Sequence, residues 1–218
     1  MKIEIWSDFA CPFCYIGKRN FEKALSEFES QSEVQVQWKS FQLMPDAPID
    51  MGVDIHDMLA KKYGRSRQWA EKMNENVTGM AQEAGLAFHM EKMIPTNTFD
   101  AHRLAHLAAK HGLEDQAEEE LFAAFFTEGR HLGKKETLEE IGREIGLKES
   151  EVASALDSGD FAEEVRKEIE DGISIGLQGV PFFVIDRKYA FSGAQPPDVF
   201  LKILRKAKEE ARTAGDVS

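Results

Sequence analysis

The chain has 218 residues, of which 42% are hydrophobic and 30% are charged, a composition that suits a folded globular protein and is too apolar for disorder. Its 27 Lys and Arg residues against 39 Asp and Glu residues give a net charge of −12, which argues against binding to a nucleic-acid backbone or an anionic membrane. No apolar stretch approaches the roughly 18 residues of a membrane-spanning helix, and the opening residues lack the pattern of a signal peptide. We therefore expect a cytoplasmic protein.

The first forty residues predict a strand, a helix and a second strand. Lys2–Ser7 places two isoleucines on one face of a short strand. Residues 15–28 carry apolar side chains four and three positions apart, at Phe21, Leu25 and Phe28, which form one face of a helix. Residues 34–40 alternate again, as in a strand. This order predicts a β-α-β unit.

The middle of the chain, from about residue 45 to residue 176, has an almost wholly helical pattern. Asp54 is a candidate cap for the first helix of this block. Glycines follow most of the predicted helices, as they commonly do at helix C-termini. The predicted helices cover residues 55–63, 67–84, 99–111, 115–126, 137–145, 149–157 and 161–174.

The β pattern returns near the end of the chain. Residues 182–185 form a continuous apolar run, which suits a strand buried on both faces. After a turn, residues 189–191 are its predicted antiparallel partner, and a last helix is predicted from Pro196 or Pro197 to about Glu210. The organisation is therefore β-α-β, a helical block, and β-β-α.

The two cysteines of the chain, Cys11 and Cys14, lie two residues apart at the junction of the first strand and helix. In a reducing compartment such a pair is typically catalytic or metal-binding. The free N–H groups and positive end of the helix would stabilise a thiolate at Cys11, whereas the nearby Asp8 would oppose it. Cys14, one turn deeper, would be shielded and suited to resolving a mixed disulfide.

Two simpler interpretations of the cysteine pair are also open. It could be a buried, inert pair of thiols. A zinc site would need two further ligands in matching spacing, and the sequence has no second C-x-x-C. His102 and His106 are one helical turn apart but lack the glutamate of a zincin motif. We therefore expect no metal site.

Val180 and Pro181 precede the predicted buried strand. A proline suits the first position of a strand because it cannot donate to the ladder. A cis bond here would expose the Val180 backbone to an extended substrate segment beside Cys11. Few X–Pro bonds are cis, so the sequence pattern alone does not establish this isomer.

Four segments of the sequence resemble one known family. Residues 6–17 (WSDFACPFCYIG), residues 179–184 (GVPFFV) with residues 191–195 (FSGAQ), and residues 97–102 (NTFDAH) are similar to DsbA-like thioredoxin-fold oxidoreductases, in particular their FrnE branch. The resemblance covers about residues 2–208. It implies an α/β thioredoxin-like fold interrupted by a large helical insertion. The thioredoxin-like domain would comprise 1–44 plus 177–218, and the insertion 45–176.

The resemblance also implies roles for individual residues. Cys11 would be the attacking thiol, Cys14 the resolving thiol, and Pro181 a cis-proline that faces them. Pro12 and Phe13 would tune the redox potential and, with Val180 and Pro181, contact the substrate. The candidate groove residues Asn97 and His102 could equally be a helix cap and a packed histidine. The phenylalanines of the run from 121 to 126, Phe122, Phe125 and Phe126, are expected in the core of the insertion rather than on a peptide-binding surface. Some FrnE relatives have a second, C-terminal cysteine pair, which this chain lacks.

These observations favour a thiol–disulfide oxidoreductase that works through a mixed disulfide, without a bound cofactor beyond the redox-active pair Cys11–Cys14. The expected partners are a protein or small-molecule disulfide or dithiol and a cellular thiol reductant, with glutathione a candidate co-substrate. The related kappa-class glutathione transferases and 2-hydroxychromene-2-carboxylate isomerases have a serine where Cys11 stands. A glutathione-dependent isomerase or transferase acting on a small aromatic molecule is therefore the first alternative, and a noncatalytic binding module is the second. A monomer and a homodimer are both compatible with the sequence.

Overall fold

The computed structural model describes residues 1–215, and within them four strands form one sheet. The strand order is β2-β1-β3-β4, with β1 parallel to β2 and antiparallel to β3, and β3 antiparallel to β4. The strands are β1 (Lys2–Ser7), β2 (Gln35–Ser40), β3 (Phe182–Ile185) and β4 (Tyr189–Ser192).

Helix α1 connects β1 to β2, seven helices lie between β2 and β3 in the described residues, and α9 follows β4. The predicted mixed α/β fold class is therefore confirmed. The predicted division into a thioredoxin-like domain and an insertion stays a prediction, and its residues 216–218 lie outside the described part. The helices are α1 (Pro12–Ser26), α2 (Ile55–Tyr63), α3 (Arg67–Glu83), α4 (Phe99–Lys110), α5 (Glu114–Ala123), α6 (Lys135–Glu144), α7 (Glu149–Ser158), α8 (Ala162–Ser174) and α9 (Pro197–Gly215).

The predicted helix ends differ from the observed ones in three informative places. Helix α1 begins at Pro12, where a missing N–H leaves no bond unmade, but it ends at Ser26, two residues before the predicted end. Helix α9 continues past its predicted end to Gly215. The helix predicted over 115–126 is instead α5 followed by a π-helical turn, Ala124–Glu128. Because that turn keeps the apolar spacing of a helix, the sequence pattern does not distinguish it.

The two faces of the sheet are covered by different helices. Ile3 and Ile5 of β1 pack on the same cluster as Phe21 of α1 and Phe200 of α9. Trp6 follows Ile5 and therefore faces the other side of the sheet, where it packs with Val184 and Leu177. Strand β3 contributes to both clusters, which confirms that it is buried on both faces.

A second core joins the start of α1 to the helical block. Cys11, Cys14 and Phe9 belong to the same apolar cluster as the helices between β2 and β3. The phenylalanines expected in the core of the insertion, Phe122, Phe125 and Phe126, are 0%, 1% and 2% exposed. That prediction is confirmed, and the helical block therefore forms one side of the cysteine site.

The open edge of β2 is covered by carboxylates rather than by another strand. Glu114 of α5 accepts from the Trp38 N–H at 3.2 Å, and Glu168 of α8 accepts from the Ser40 N–H at 2.8 Å. Glu168 also pairs with the Lys39 ammonium at 2.8 Å. Burial acts to raise the pKa of Glu168, but His106, Lys39 and the Ser40 N–H outweigh it and lower that pKa from 4.5 to about 2. The α8 helix is thereby fixed to the sheet by one partly buried charge.

We predict that Glu168→Gln removes an acid-sensitive part of the stability. A carboxyl whose pKa is lowered on folding stabilises the folded state above its unfolded pKa, and this contribution is lost as the pH falls toward the folded pKa. The variant should be less stable than wild type by about 2–3 kcal/mol near neutral pH, and the difference should shrink between pH 4.5 and about 2. Denaturant unfolding across this pH range measures it. Glu164→Gln, an exposed position on the same helix, is the control, and an equal effect there would contradict the assignment.

Candidate active site

The cysteine pair lies where the central part of the sheet meets α1. After β1 ends at Ser7, a turn is closed by the Cys11 N–H, which donates to the Asp8 carbonyl at 2.9 Å. Cys11 is the N-cap residue of α1 and has an extended backbone. Pro12 follows at the first helical position, and the Cys14 N–H donates to the Cys11 carbonyl at 3.0 Å. Both thiols therefore belong to the first turn of one helix.

The two thiols differ in their surroundings. Both are free and buried, Cys11 at 3% and Cys14 at 1% exposure. Burial raises the pKa of Cys14 well above its ordinary value, and the adjacent Cys11 raises it further. Cys11 lies at the helix N-terminus, where N–H groups without helical partners and the helix dipole favour negative charge. The first turn thus places one thiol at the helix N-terminus and buries the other one turn deeper, where its pKa is raised.

The Val180–Pro181 loop lies against the cysteine pair. The peptide bond between these two residues is cis, and the Val180 carbonyl accepts from the Cys11 thiol with a sulfur-to-oxygen distance of 3.5 Å. The close approach of α1 is allowed by Gly17, because a Cβ there would lie 3.1 Å from Pro181 Cγ. The structure therefore brings together two motifs that are about 170 residues apart in the sequence.

Pro12 and Phe13 occupy the exposed side of this turn. Pro12 is half-buried, and Phe13 is 38% exposed although it is a large apolar residue. A large apolar side chain is thus exposed between the two cysteines. The role of both residues in substrate binding stays a prediction.

The Asp8 carboxylate connects the cysteine loop to the helical block. It is 1% exposed. Its Oδ1 accepts from the Ala10 N–H at 3.2 Å and from the Thr98 hydroxyl at 2.8 Å, and its Oδ2 accepts from the Leu43 N–H at 2.7 Å. Burial acts to raise the pKa of Asp8, but His102 and the Leu43 and Thr98 donors outweigh it and bring that pKa below its ordinary value. A buried, ionised carboxylate therefore holds three chain segments together.

His102 and Asn97 reach the site only indirectly. His102 is 3% exposed, packs against Phe9 with 4.7 Å between ring centroids and 38° between the ring planes, and places Nε2 at 3.7 Å from Asp8 Oδ1. Asn97 accepts from the Phe99 N–H at 2.9 Å and donates to the Pro45 and Ala47 carbonyls. The two residues therefore make the contacts of a packed histidine and a helix cap. Their role as substrate contacts stays a prediction.

Two groups of site residues were missed by sequence reasoning. The first is Thr98, whose hydroxyl donates to Asp8 Oδ1 at 2.8 Å. Glu119 of α5 accepts from the Tyr15 hydroxyl at 2.6 Å and from Lys18 at 2.8 Å, which ties α1 to the helical block. Lys18 is only 2% exposed. A lysine is rarely buried without a charged partner, so the position of Lys18 near the buried face of α1 was the feature of the sequence that indicated an ion pair.

Comparison with known proteins identifies the fold. Residues 2–205 match the DSBA-like thioredoxin domain family. A probable DsbA oxidoreductase from Streptomyces coelicolor is 39% identical, with a TM-score of 0.92 over 96% of this chain and 91% of that one.

Two more distant structures share the fold alone. The cytosolic disulfide reductase DsbM from Pseudomonas aeruginosa, solved with GSH, is 19% identical, with a TM-score of 0.67 over 96% of this chain and 100% of that one. A 2-hydroxychromene-2-carboxylate isomerase is 16% identical, with a TM-score of 0.68 over 100% of both chains.

The resemblance noted from the sequence is confirmed at the level of this family, whereas the assignment to the FrnE branch stays a prediction. The match extends from β1 into α9 and includes both cysteines and the Val180–Pro181 loop. This chain belongs to the DSBA-like thioredoxin domain family.

Proposed function

We propose that this protein is a thiol–disulfide oxidoreductase in which Cys11 attacks a disulfide and Cys14 resolves the mixed disulfide. The observation that carries the proposal is the pairing of Cys11, at the N-terminus of α1, with the Val180 carbonyl 3.5 Å from its sulfur. Thiolates at helix N-termini are good nucleophiles and good leaving groups. The family's solved relative from Streptomyces coelicolor, named a probable DsbA oxidoreductase, supports the same activity.

The unequal surroundings of the thiols support different roles for Cys11 and Cys14. The Cys11 thiolate attacks one sulfur of the substrate, and the other substrate sulfur departs as a thiolate that takes up a proton. Cys14, whose pKa is raised by burial and by Cys11, stays protonated and does not compete for the substrate. It then loses its proton, attacks Cys11 and releases the second substrate sulfur. Two electrons pass from the dithiol to the substrate, and the reverse sequence oxidises a dithiol.

The backbone beside Cys11 suits an extended substrate segment. Val180 is half-buried at the start of the loop before β3, and its peptide groups can pair with a segment next to the disulfide, while Phe13 supplies an apolar contact. The reductant is proposed to be a cellular thiol, with glutathione as a candidate co-substrate, and the compartment to be the cytoplasm. Among the described residues, no helix combines the length and apolar character needed to cross a membrane.

The isomerase or transferase alternative shares this fold with the 2-hydroxychromene-2-carboxylate isomerase. Such an enzyme needs a glutathione site but no resolving thiol. It therefore predicts activity that survives the loss of Cys14, together with saturable glutathione binding. The binding-module alternative predicts no exchange activity at either cysteine. Both alternatives are separated from the proposed function by the two cysteine variants below.

We predict that Cys11→Ser abolishes disulfide exchange, whereas Cys14→Ser accumulates a mixed disulfide at Cys11. A serine hydroxyl is a far weaker nucleophile than a thiolate at neutral pH, and without Cys14 the intermediate has no internal resolving thiol. The measurement is mass spectrometry of acid-quenched mixtures with oxidised glutathione and with a disulfide-bonded protein. Disulfide exchange that persists in Cys11→Ser would contradict the proposed mechanism.

We also predict that Phe13→His makes the protein more oxidising. A protonated imidazole beside Cys11 would stabilise the thiolate and therefore the reduced form. Stabilisation by about 1.4 kcal/mol corresponds to a potential about 30 mV higher. Equilibration with glutathione redox buffers measures the shift. Phe13→Leu, which keeps an apolar side chain, should stay close to wild type, and an equal shift in both variants would contradict the electrostatic explanation.

A further inference from the structure

The resolving step requires a thiolate at Cys14, which does not lie at the helix N-terminus as Cys11 does. Cys14 is 1% exposed, so water cannot solvate its thiolate as it forms. Moving a charge out of water is costly unless hydrogen bonds replace the lost solvation. A donor beside the Cys14 sulfur would therefore be used only during the second half of the reaction.

Ser7 occupies the position where such a donor is needed. Along β1, Ile3 and Ile5 face α1 and α9, and the alternation of the strand directs Ser7 to the same face. Ser7 is the last residue of β1, directly before the turn that leads into the first turn of α1. Its side chain therefore lies on the face of the sheet that α1 covers, toward Cys14.

The Ser7 hydroxyl is unusual because it is buried without a partner. Ser7 is 3% exposed, and its Oγ has no hydrogen-bond partner among the described residues. Its neighbour in register on β2, Ser40, has its Oγ 3.2 Å from His106 Nε2. Leaving a buried polar group without a partner costs stability. Ser40 therefore has a polar neighbour for its hydroxyl, whereas Ser7, which is closer to the cysteines in the chain, has none among the described residues.

We propose that the Ser7 hydroxyl is held free to donate a hydrogen bond to the Cys14 thiolate while that thiolate attacks the mixed disulfide. This inference rests on the proposed function. Ser7 and the Asp8 N–H both act to lower the pKa of Cys14, against burial and Cys11. In this step the S–H bond of Cys14 breaks, and the proton that Cys14 gives up balances the proton that the departing substrate sulfur takes up. The Cys11–substrate bond breaks as the Cys11–Cys14 bond forms.

Other ionisable groups near Cys14 do not provide this donor. Cys11 is consumed in the mixed disulfide. The Asp8 carboxylate is an acceptor that is already engaged by Ala10, Thr98 and Leu43. His102 lies on the α4 side of Asp8 and faces that carboxylate. The hydroxyl of Ser7 and the Asp8 N–H remain as the pair that can surround the thiolate.

The test is the single-turnover reduction of oxidised glutathione by Ser7→Ala. Rapid quenching in acid and mass spectrometry follow the mixed disulfide as it forms and decays. Formation should keep the wild-type rate, because the hydroxyl does not face the attack by Cys11. Decay should be about tenfold slower, and its pH profile should move up by about one unit. Removing an unpaired hydroxyl should leave the thermal stability equal or higher.

Two further variants make the outcome decisive. Ser7→Thr keeps the hydroxyl and should resolve at close to the wild-type rate. Ser40→Ala removes the adjacent serine on the same sheet face and should not move the pH profile of decay. If Ser7→Ala and wild type resolve alike, or if Ser40→Ala or Ser7→Thr is as slow as Ser7→Ala, the inference is overturned while the proposed function stands. If wild type forms no mixed disulfide at all, the proposed function fails first.

Discussion

The site depends on one buried charge, the carboxylate of Asp8. It holds the cysteine loop, the segment after β2 and the start of α4 through the Ala10, Leu43 and Thr98 donors. A buried carboxylate that lost these donors would be strongly destabilising, so the three segments are kept together. The position of Cys11 relative to the helical block follows from this arrangement. The same helical block completes the apolar cluster that buries both thiols. The Asp8 carboxylate therefore fixes both the position of the cysteines and the apolar surroundings in which they lie.

The chemistry follows from the difference between two thiols in one helical turn. Cys11 has the helix N-terminus and the Val180 carbonyl as neighbours, whereas Cys14 lies deeper, against β1, where burial keeps it neutral. A single nucleophile and a protected second thiol are what an ordered two-step exchange needs. The edge of the sheet is held in a comparable way by the carboxylates of Glu114 and Glu168. In both places the helical block contacts the sheet through acidic groups, buried at Asp8 and partly buried at Glu114 and Glu168.

Much of the fold and of the cysteine motif could be predicted from the sequence, because both depend on local patterns. Strand alternation and helical spacing are properties of neighbouring residues, and C-x-x-C at a strand–helix junction is compact. The partners of Asp8 and the unpaired hydroxyl of Ser7 could not be predicted, because they depend on residues far apart in the chain, such as Thr98. Asn97 bonds to the Pro45 and Ala47 carbonyls for the same reason. The π-helical turn of Ala124–Glu128 was missed because its apolar spacing is that of an ordinary helix.

The most direct test of the account is equilibration of the purified protein across glutathione redox buffers, with the free thiols of Cys11 and Cys14 counted by mass spectrometry. We expect one reversible two-electron transition in which both thiols disappear together as an internal disulfide. A reduction potential of about −270 mV would indicate a disulfide reductase, and one of about −120 mV would indicate a dithiol oxidant. Thiols that never close into a reversible disulfide would contradict the central claim and favour the glutathione-dependent alternative.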